Sequence, residues 1–399
     1  MTLRQRIIQI ACQPSAWFVF FAFFAAGISI QSLLLGLKDI GGVIHTHYNN
    51  YVIFKYSFLH LIDGKDLYVH YPSDQYDLYK YSPGFAVIFG LFAFMPDWLG
   101  LICWNILNAL CLVLGIHLLK GLTSQKKALA LGICAIELFT SLHNAQANGL
   151  MAGLMILALA MLQREKIALA TLFVALAFFI KLFGIVAFSL FLFFPHKGRM
   201  FVWAIFWFAL LSFLPLLLVD WNQFVLLHKS WFTLLTADHG RSYGFSVMGW
   251  LYYWFGLELD KSIVLLLGML SFVALLFRVR CYPNNEYRLK MLALVLLWVI
   301  LFNHMTESPT IVIGMAGAAI WFISGKRNTL NAALMVFAFV FTSLSSTDLF
   351  PAFVRREIIY PYVVKIFPLI LIWIKLIADI VRLDADKPNT GNETVEYQQ

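Results

Sequence analysis

Asp74 and Asp77 sit among five tyrosines in "LYVHYPSDQYDLYKYSPGFAVIFG" at 67–90, directly before an apolar run. A carboxylate within hydrogen-bond reach of an attacking hydroxyl can take its proton, so each acid is a candidate general base. The tyrosines, Tyr81 last among them, are rings of the kind that gather at membrane–water interfaces, and most need no chemistry. Further along, "LFNHMTESPT" at 301–310 brings Asn303, His304 and Glu307 between two apolar runs. Short interhelical turns are commonly polar, yet Glu307 stands where an acid could line a cavity.

Cationic candidates are fewer. Lys181 lies in "AFFIKLFGI" with apolar neighbours on both sides. A charge at mid-bilayer costs about 2.5–3.5 kcal/mol on insertion scales, so it faces the protein interior or a watery cavity unless it snorkels outward. A break in its apolar run near Gly184 would bring Lys181 to the outer surface, where an ammonium suits a phosphate. Arg241 stands with Asp238 and His239 in "TADHGRSYGFSVMGW" at 236–250. Arginine binds phosphate bidentately and glycine-rich backbone can approach an anion, with a solvated loop as the competing reading. Arg355, Arg356 and Glu357 in "FVRREIIYP" are equally ambiguous. Gln146 and Asn148 open a helix in "HNAQANGLMAGLM", as caps or as interhelical donors. Glu137 falls inside an apolar run and should face the bundle interior. No third ligand accompanies Asp74 and Asp77, so no metal site is expected. The cysteines at 12, 103, 111, 134 and 281 are too scattered for a zinc site or disulfide framework.

The elements that position these groups are membrane helices. The chain is 61% hydrophobic and only 13% charged, with 38 phenylalanines, against roughly 25% charged in soluble domains. An all-α polytopic membrane protein follows. Apolar runs occur at 15–37, 98–119, 128–143, 149–162, 168–194, 201–219, 262–277, 291–302, 310–323, 330–341 and 363–381, with a shorter one at 84–95. A span needs roughly 20 apolar residues, so about ten to thirteen spans are expected. The net charge of +8 belongs to short basic loops expected in the cytoplasm, "QREK", "HKGR", "RVRCYPNNEYRLK" and "GKRN", rather than to nucleic-acid binding. "KGLTSQKK" at 120–127 fits that side only if 84–95 does not fully cross. Both termini should be cytoplasmic, the N-terminal one because Arg4 and Arg6 precede the first span and no cleavable signal is evident. One membrane domain at 1–383 and a disordered tail at 384–399 complete the plan.

Two outward segments, 38–82 and 220–249, are too long for turns and too aromatic for disorder. Within the first, "NNYVIFKYSFLHLIDG" predicts an interfacial helix over 50–63, with Asn49 as N-cap and Gly64 as stop. Tyr51, Phe54, Phe58 and Leu61 form its apolar stripe. Asn50, Ser57 and His60 fall on another face and would line a cavity or simply meet water.

The order amphipathic helix, Gly64, Leu67-Tyr68, then Tyr81-Ser82-Pro83 opening an apolar run resembles glycosyltransferase family 87. "AQANGLMAGLMILALAML" resembles that family's Gln-x-Asn helix start, and "ALATLFVALAFFIKLFGIVAFSLFLF" its helix with a single lysine. The likeness runs over about two thirds of the chain. It implies a GT-C bundle that moves a hexose, mannose in the family, from a polyprenyl-phosphate donor to a lipid or glycan acceptor outside a bacterial plasma membrane, with inversion. No cofactor is implied. The likeness also gives Gln146 and Asn148 a cavity-facing position, Asn303, His304 and Glu307 a turn that would meet sugar, and Lys181 a contact to the donor phosphate. The family opens its interfacial helix with a catalytic aspartate, and the matching position here is Asn50, an amide that cannot be a base. Either another carboxylate serves, or catalysis is absent. Asp77 ranks first because it is closest to Tyr81-Ser82-Pro83, with Asp74, Asp39 and Glu307 behind it.

Two other readings share this hydropathy: a lipid or solute transporter, and a non-catalytic glycolipid binder. Transporters commonly show related halves with interrupted helices, whereas here polar residues concentrate in the two outer segments. No G-x-G-x-x-G occurs, and a donor arriving from the bilayer needs no nucleotide fold.

Overall fold

A computed structural model describes residues 13–40, 42–237, 243–326 and 328–384. Arg4, Arg6, Cys12, Asp238, His239, Arg241 and the tail from 385 lie outside the described residues. The chain is nearly all helix. It opens with α1 (Pro14–Leu34), a hairpin of β1 (Leu37–Ile40) and β2 (Val43–Thr46), and α2 (Asn49–Ile62). The central run comprises α3 (Pro83–Ala93), α4 (Asp97–Leu118), α5 (Ser124–His143), α6 (Asn148–Leu162) and α7 (Ile167–Ile180), continued by a 3-10 segment (Leu182–Phe193). Then follow α8 (Lys197–Phe213), α9 (Trp221–Ala237), α10 (Val247–Phe255), α11 (Lys261–Leu276), α12 (Asn285–Leu301), α13 (Ile311–Ser324), α14 (Thr329–Ala338) and α15 (Phe367–Val381).

The centre of the bundle is α6, every residue of which is buried, as expected of a helix that is apolar all round. Its contact with α4 is close because both helices carry glycine there. A Cβ on Gly153 would stand 2.5 Å from the Cys111 carbonyl carbon, so backbones meet where larger residues would hold them apart. Asn108 of α4 accepts the Leu150 N–H at 2.9 Å, satisfying a first-turn donor that has no intrahelical partner.

Among the described residues, four helical stretches are long and apolar enough by length and composition to cross a membrane: Pro14–Leu34, Asp97–Leu118, Lys197–Leu217 and Thr329–Ser346. Several other expected spans are shorter apolar helices, including Asn148–Leu162 and Ser308–Ser324. The 168–194 run is divided at Lys181, whose extended backbone (φ −143°, ψ 126°) ends α7. The break comes three residues before the expected Gly184.

The first outer segment is ordered as expected in outline. Tyr51, Phe54, Phe58 and Leu61 are buried, and α2 stops at Asp63–Gly64, with Gly64 at φ +68°. Asn49 does not cap α2. It is the helix's first residue, Tyr48 precedes it as N-cap, and the Asn49 side-chain oxygen accepts the Tyr76 N–H at 3.1 Å. The second outer segment is largely helix α9 rather than loop, and it rests on the first through Ser230 donating to Asp66 at 2.7 Å.

Candidate active site

Side chains from three places in the chain meet in one hydrogen-bonded series. Lys181 Nζ donates to Asn148 Oδ1 at 2.7 Å. Asn148 Nδ2 donates to Gln146 Oε1 at 2.5 Å. Gln146 Nε2 donates to Glu307 Oε2 at 2.9 Å. The Lys181 ammonium also stands 5.9 Å from the Tyr81 ring centroid, within cation–π range. These five residues were the polar outliers of separate sequence motifs.

Each is held by local chemistry. Lys181 occupies the break between α7 and the 3-10 segment, which frees its ammonium from an apolar helix face. Tyr81 is fixed through its neighbour: Ser82 Oγ donates to the Phe179 carbonyl at 2.6 Å and accepts the Phe85 N–H at 3.1 Å. That residue therefore caps α3 and ties its start to the end of α7, two residues before Lys181. Tyr68 Oη donates to the Tyr81 carbonyl at 2.9 Å. Burial pushes the Tyr81 hydroxyl above its ordinary pKa, and the Glu307 and Asp77 carboxylates push the same way, so the phenol stays protonated at neutral pH.

Gln146 and Asn148 leave a turn built on Ala145, a buried alanine at φ +49°. This left-handed conformation costs an L-residue roughly 1–2 kcal/mol, and Trp104 Nε1 holds it by donating to the Ala145 carbonyl at 2.9 Å. Asn50 grips the same turn, its amide donating to the Asn144 carbonyl at 2.8 Å. The asparagine at the aspartate position therefore supports the Gln146 turn.

Glu307 is exposed, and its second oxygen, Oε1, meets no donor among the described residues. The turn beneath it is anchored by a group that the sequence pattern did not single out. Lys365, fully buried, donates to Ser308 Oγ at 2.8 Å and pairs with the fully buried Glu137 at 3.1 Å. Glu137 faces the interior as expected. Lys365 carried the same signal as Lys181, a lone charge in an apolar run, but lay at the edge of the expected 363–381 span.

The other candidates do not join this series. Asp74 is bonded to the buried His60, Nε2 to Oδ2 at 3.0 Å, under the Tyr71 ring. Asp77 is exposed and accepts the N–H of its neighbour Leu78 at 2.7 Å. Asp39 accepts the Gly42 N–H in the hairpin turn. Asn303 accepts the Met305 N–H at 3.0 Å, and the His304 carbonyl packs so close to Gly244 that a Cβ there would stand 2.5 Å away. Arg241 lies outside the described residues.

A profile of glycosyltransferase family 87 matches residues 79–309, a segment that contains Tyr81 and all four members of the bonded series. The chain belongs to glycosyltransferase family 87. It is a membrane glycosyltransferase, working on a sugar donor and an acceptor in the setting of a lipid bilayer. No curated protein matches it.

Proposed function

We propose that the protein transfers a hexose, mannose by family analogy, from a polyprenyl-phosphate donor to a lipid or glycan acceptor at the outer face of a bacterial plasma membrane, with both termini in the cytoplasm. The observation that carries this reading is the series Glu307–Gln146–Asn148–Lys181. It places a carboxylate and an ammonium on one rigid polar frame, as a displacement at a sugar phosphate requires. Lys181 holds the phosphate and stabilises the negative charge that grows on it.

Glu307 replaces Asp77 as our first choice of base. Gln146 orients one of its oxygens and leaves Oε1 for substrate, on the same bonded series as the Lys181 ammonium, which Asp77 does not join. Glu307 accepts the proton of the acceptor hydroxyl as that oxygen bonds to the anomeric carbon. The bond from that carbon to the phosphate oxygen breaks, and the lipid phosphate leaves with the electron pair. A single displacement inverts the anomeric centre. Asn50 in this scheme is a supporting residue, and the catalytic aspartate of the family pattern has no counterpart at its position.

The test is turnover of radiolabelled polyprenyl-phosphate hexose by purified protein in lipid vesicles. Transfer of label to an acceptor is expected. Intact donor together with movement of lipid between leaflets would favour the transporter reading.

A further inference from the structure

A concavity of about 530 Å³ opens beside the Glu307 turn. Its size lies within the roughly 300–1,000 Å³ of small-molecule sites. Four of its lining residues are aromatic, Phe245, Tyr253, Tyr360 and Tyr362, and the ionisable residue on its lining other than tyrosine is the exposed Glu357. No lysine or arginine lines it among the described residues. The rings are braced: Phe245 and Tyr360 meet edge to face at 6.3 Å, and Trp254 Nε1 donates to the Tyr362 carbonyl at 2.7 Å.

The cavity and the polar series share one turn. Phe245 N–H donates to the Thr306 carbonyl at 2.8 Å, next to Glu307. On its other side Glu307 is bonded to Gln146 and through it to Lys181. In bonding order, Glu307 therefore stands between a cationic end and an aromatic, acidic end.

We propose that this cavity is the acceptor site and that the group it takes is an uncharged saccharide. The inference rests on the reading of Glu307 and Lys181 given above. A hexose presents an apolar face of C–H bonds, which packs on the electron-rich face of an aromatic ring, and a rim of hydroxyls, which donate to a carboxylate. Glu357 would repel a phosphate or carboxylate headgroup, and no lysine or arginine among the described lining residues would offset it. An acyl chain would fill the rings but gain nothing from the acid.

Saturation-transfer NMR on the full chain in nanodiscs tests this with methyl α-mannoside, methyl α-glucoside and methyl α-galactoside as probes. At least one glycoside should receive saturation from the wild-type protein. Glu357→Gln, which keeps the side chain's volume, should weaken binding about tenfold, and Tyr360→Ala should weaken it at least as much. Binding of the polyprenyl-phosphate donor, measured separately, should survive both changes. Wild-type protein that consumes donor yet transfers saturation to none of the glycosides overturns the proposal, as does a glycoside signal indifferent to both substitutions. Failure to consume donor at all would instead strike the reading of the catalytic series, and a glycoside signal abolished by the two substitutions would still assign the cavity.

Discussion

Two polar clusters of this bundle are built in opposite ways. In the tyrosine-rich outer segment the three candidate acids are bound close to home, Asp74 to His60 at 14 residues' separation, Asp77 to Leu78 and Asp39 to Gly42, while Asp66, which accepts from Ser230, ties the segment to α9. In the Glu307 cluster the partners are far apart in sequence, with 161 residues between Glu307 and Gln146, and one carboxylate oxygen meets no donor among the described residues. Those local bonds stabilise loops and leave the three acids apart from the Lys181 ammonium. Convergence from distant elements onto a group with spare bonding capacity is what a reaction site needs. On the function proposed above, a dense run of reactive residue types is a weaker guide to chemistry than isolated outliers that the fold brings together.

The largest effect that could break this contrast is in catalysis. Glu307→Gln should lower sugar transfer by about 10²–10⁴-fold while donor binding persists, and Asp77→Asn should leave transfer nearly unchanged in the same vesicle assay. Equal losses in the two variants would erase the distinction between the clusters. Lys181→Met comes next. Loss of a group that stabilises the leaving phosphate should cost about 10²–10³-fold, read in kcat as well as in KM for the donor.

A third change sharpens the comparison through stability. Lys365→Met leaves the Glu137 carboxylate buried without its partner, a change that costs about 3–5 kcal/mol in comparable buried pairs. The thermal midpoint of the purified protein should fall, and adding Glu137→Met should restore much of it. A midpoint unmoved by Lys365→Met would mean that the pair does not hold the Glu307 turn.

The smallest effect belongs to the outer segment. Burial lowers the pKa of His60, and the Asp74 hydrogen bond only partly offsets it. The unfolded chain thus takes up the proton first as pH falls, so His60 contributes stability above about pH 6.5 that is lost on acidification. His60→Gln should flatten the acid limb of a plot of thermal midpoint against pH, with activity at neutral pH little changed. An unaltered acid limb would remove His60 as its cause.

Much of this molecule was legible before its coordinates. The apolar stripe of α2 and its stop at Gly64 follow from spacing and from glycine's tolerance of positive φ. Tyr81, Gln146, Asn148, Lys181 and Glu307 were visible as polar residues beside or inside apolar runs. Less legible was the rank of the acids. Asp77 drew preference because it lies near Tyr81 in sequence, and nearness along the chain says nothing about which oxygen the backbone will already have satisfied. Lys365 escaped notice because its position at a span's edge imitates a snorkelling lysine, and only packing shows that it turns inward to Ser308 and Glu137.

Sequence alone determined that the chain is a bundle of apolar helices and which few residues are costly to bury, since hydropathy and isolated charge are properties of a short window. Tertiary structure decided which of those residues meet. Hydrogen bonds act over about 3 Å, and bringing together groups that are 161 and 228 positions apart depends on how whole helices pack, which no local window contains.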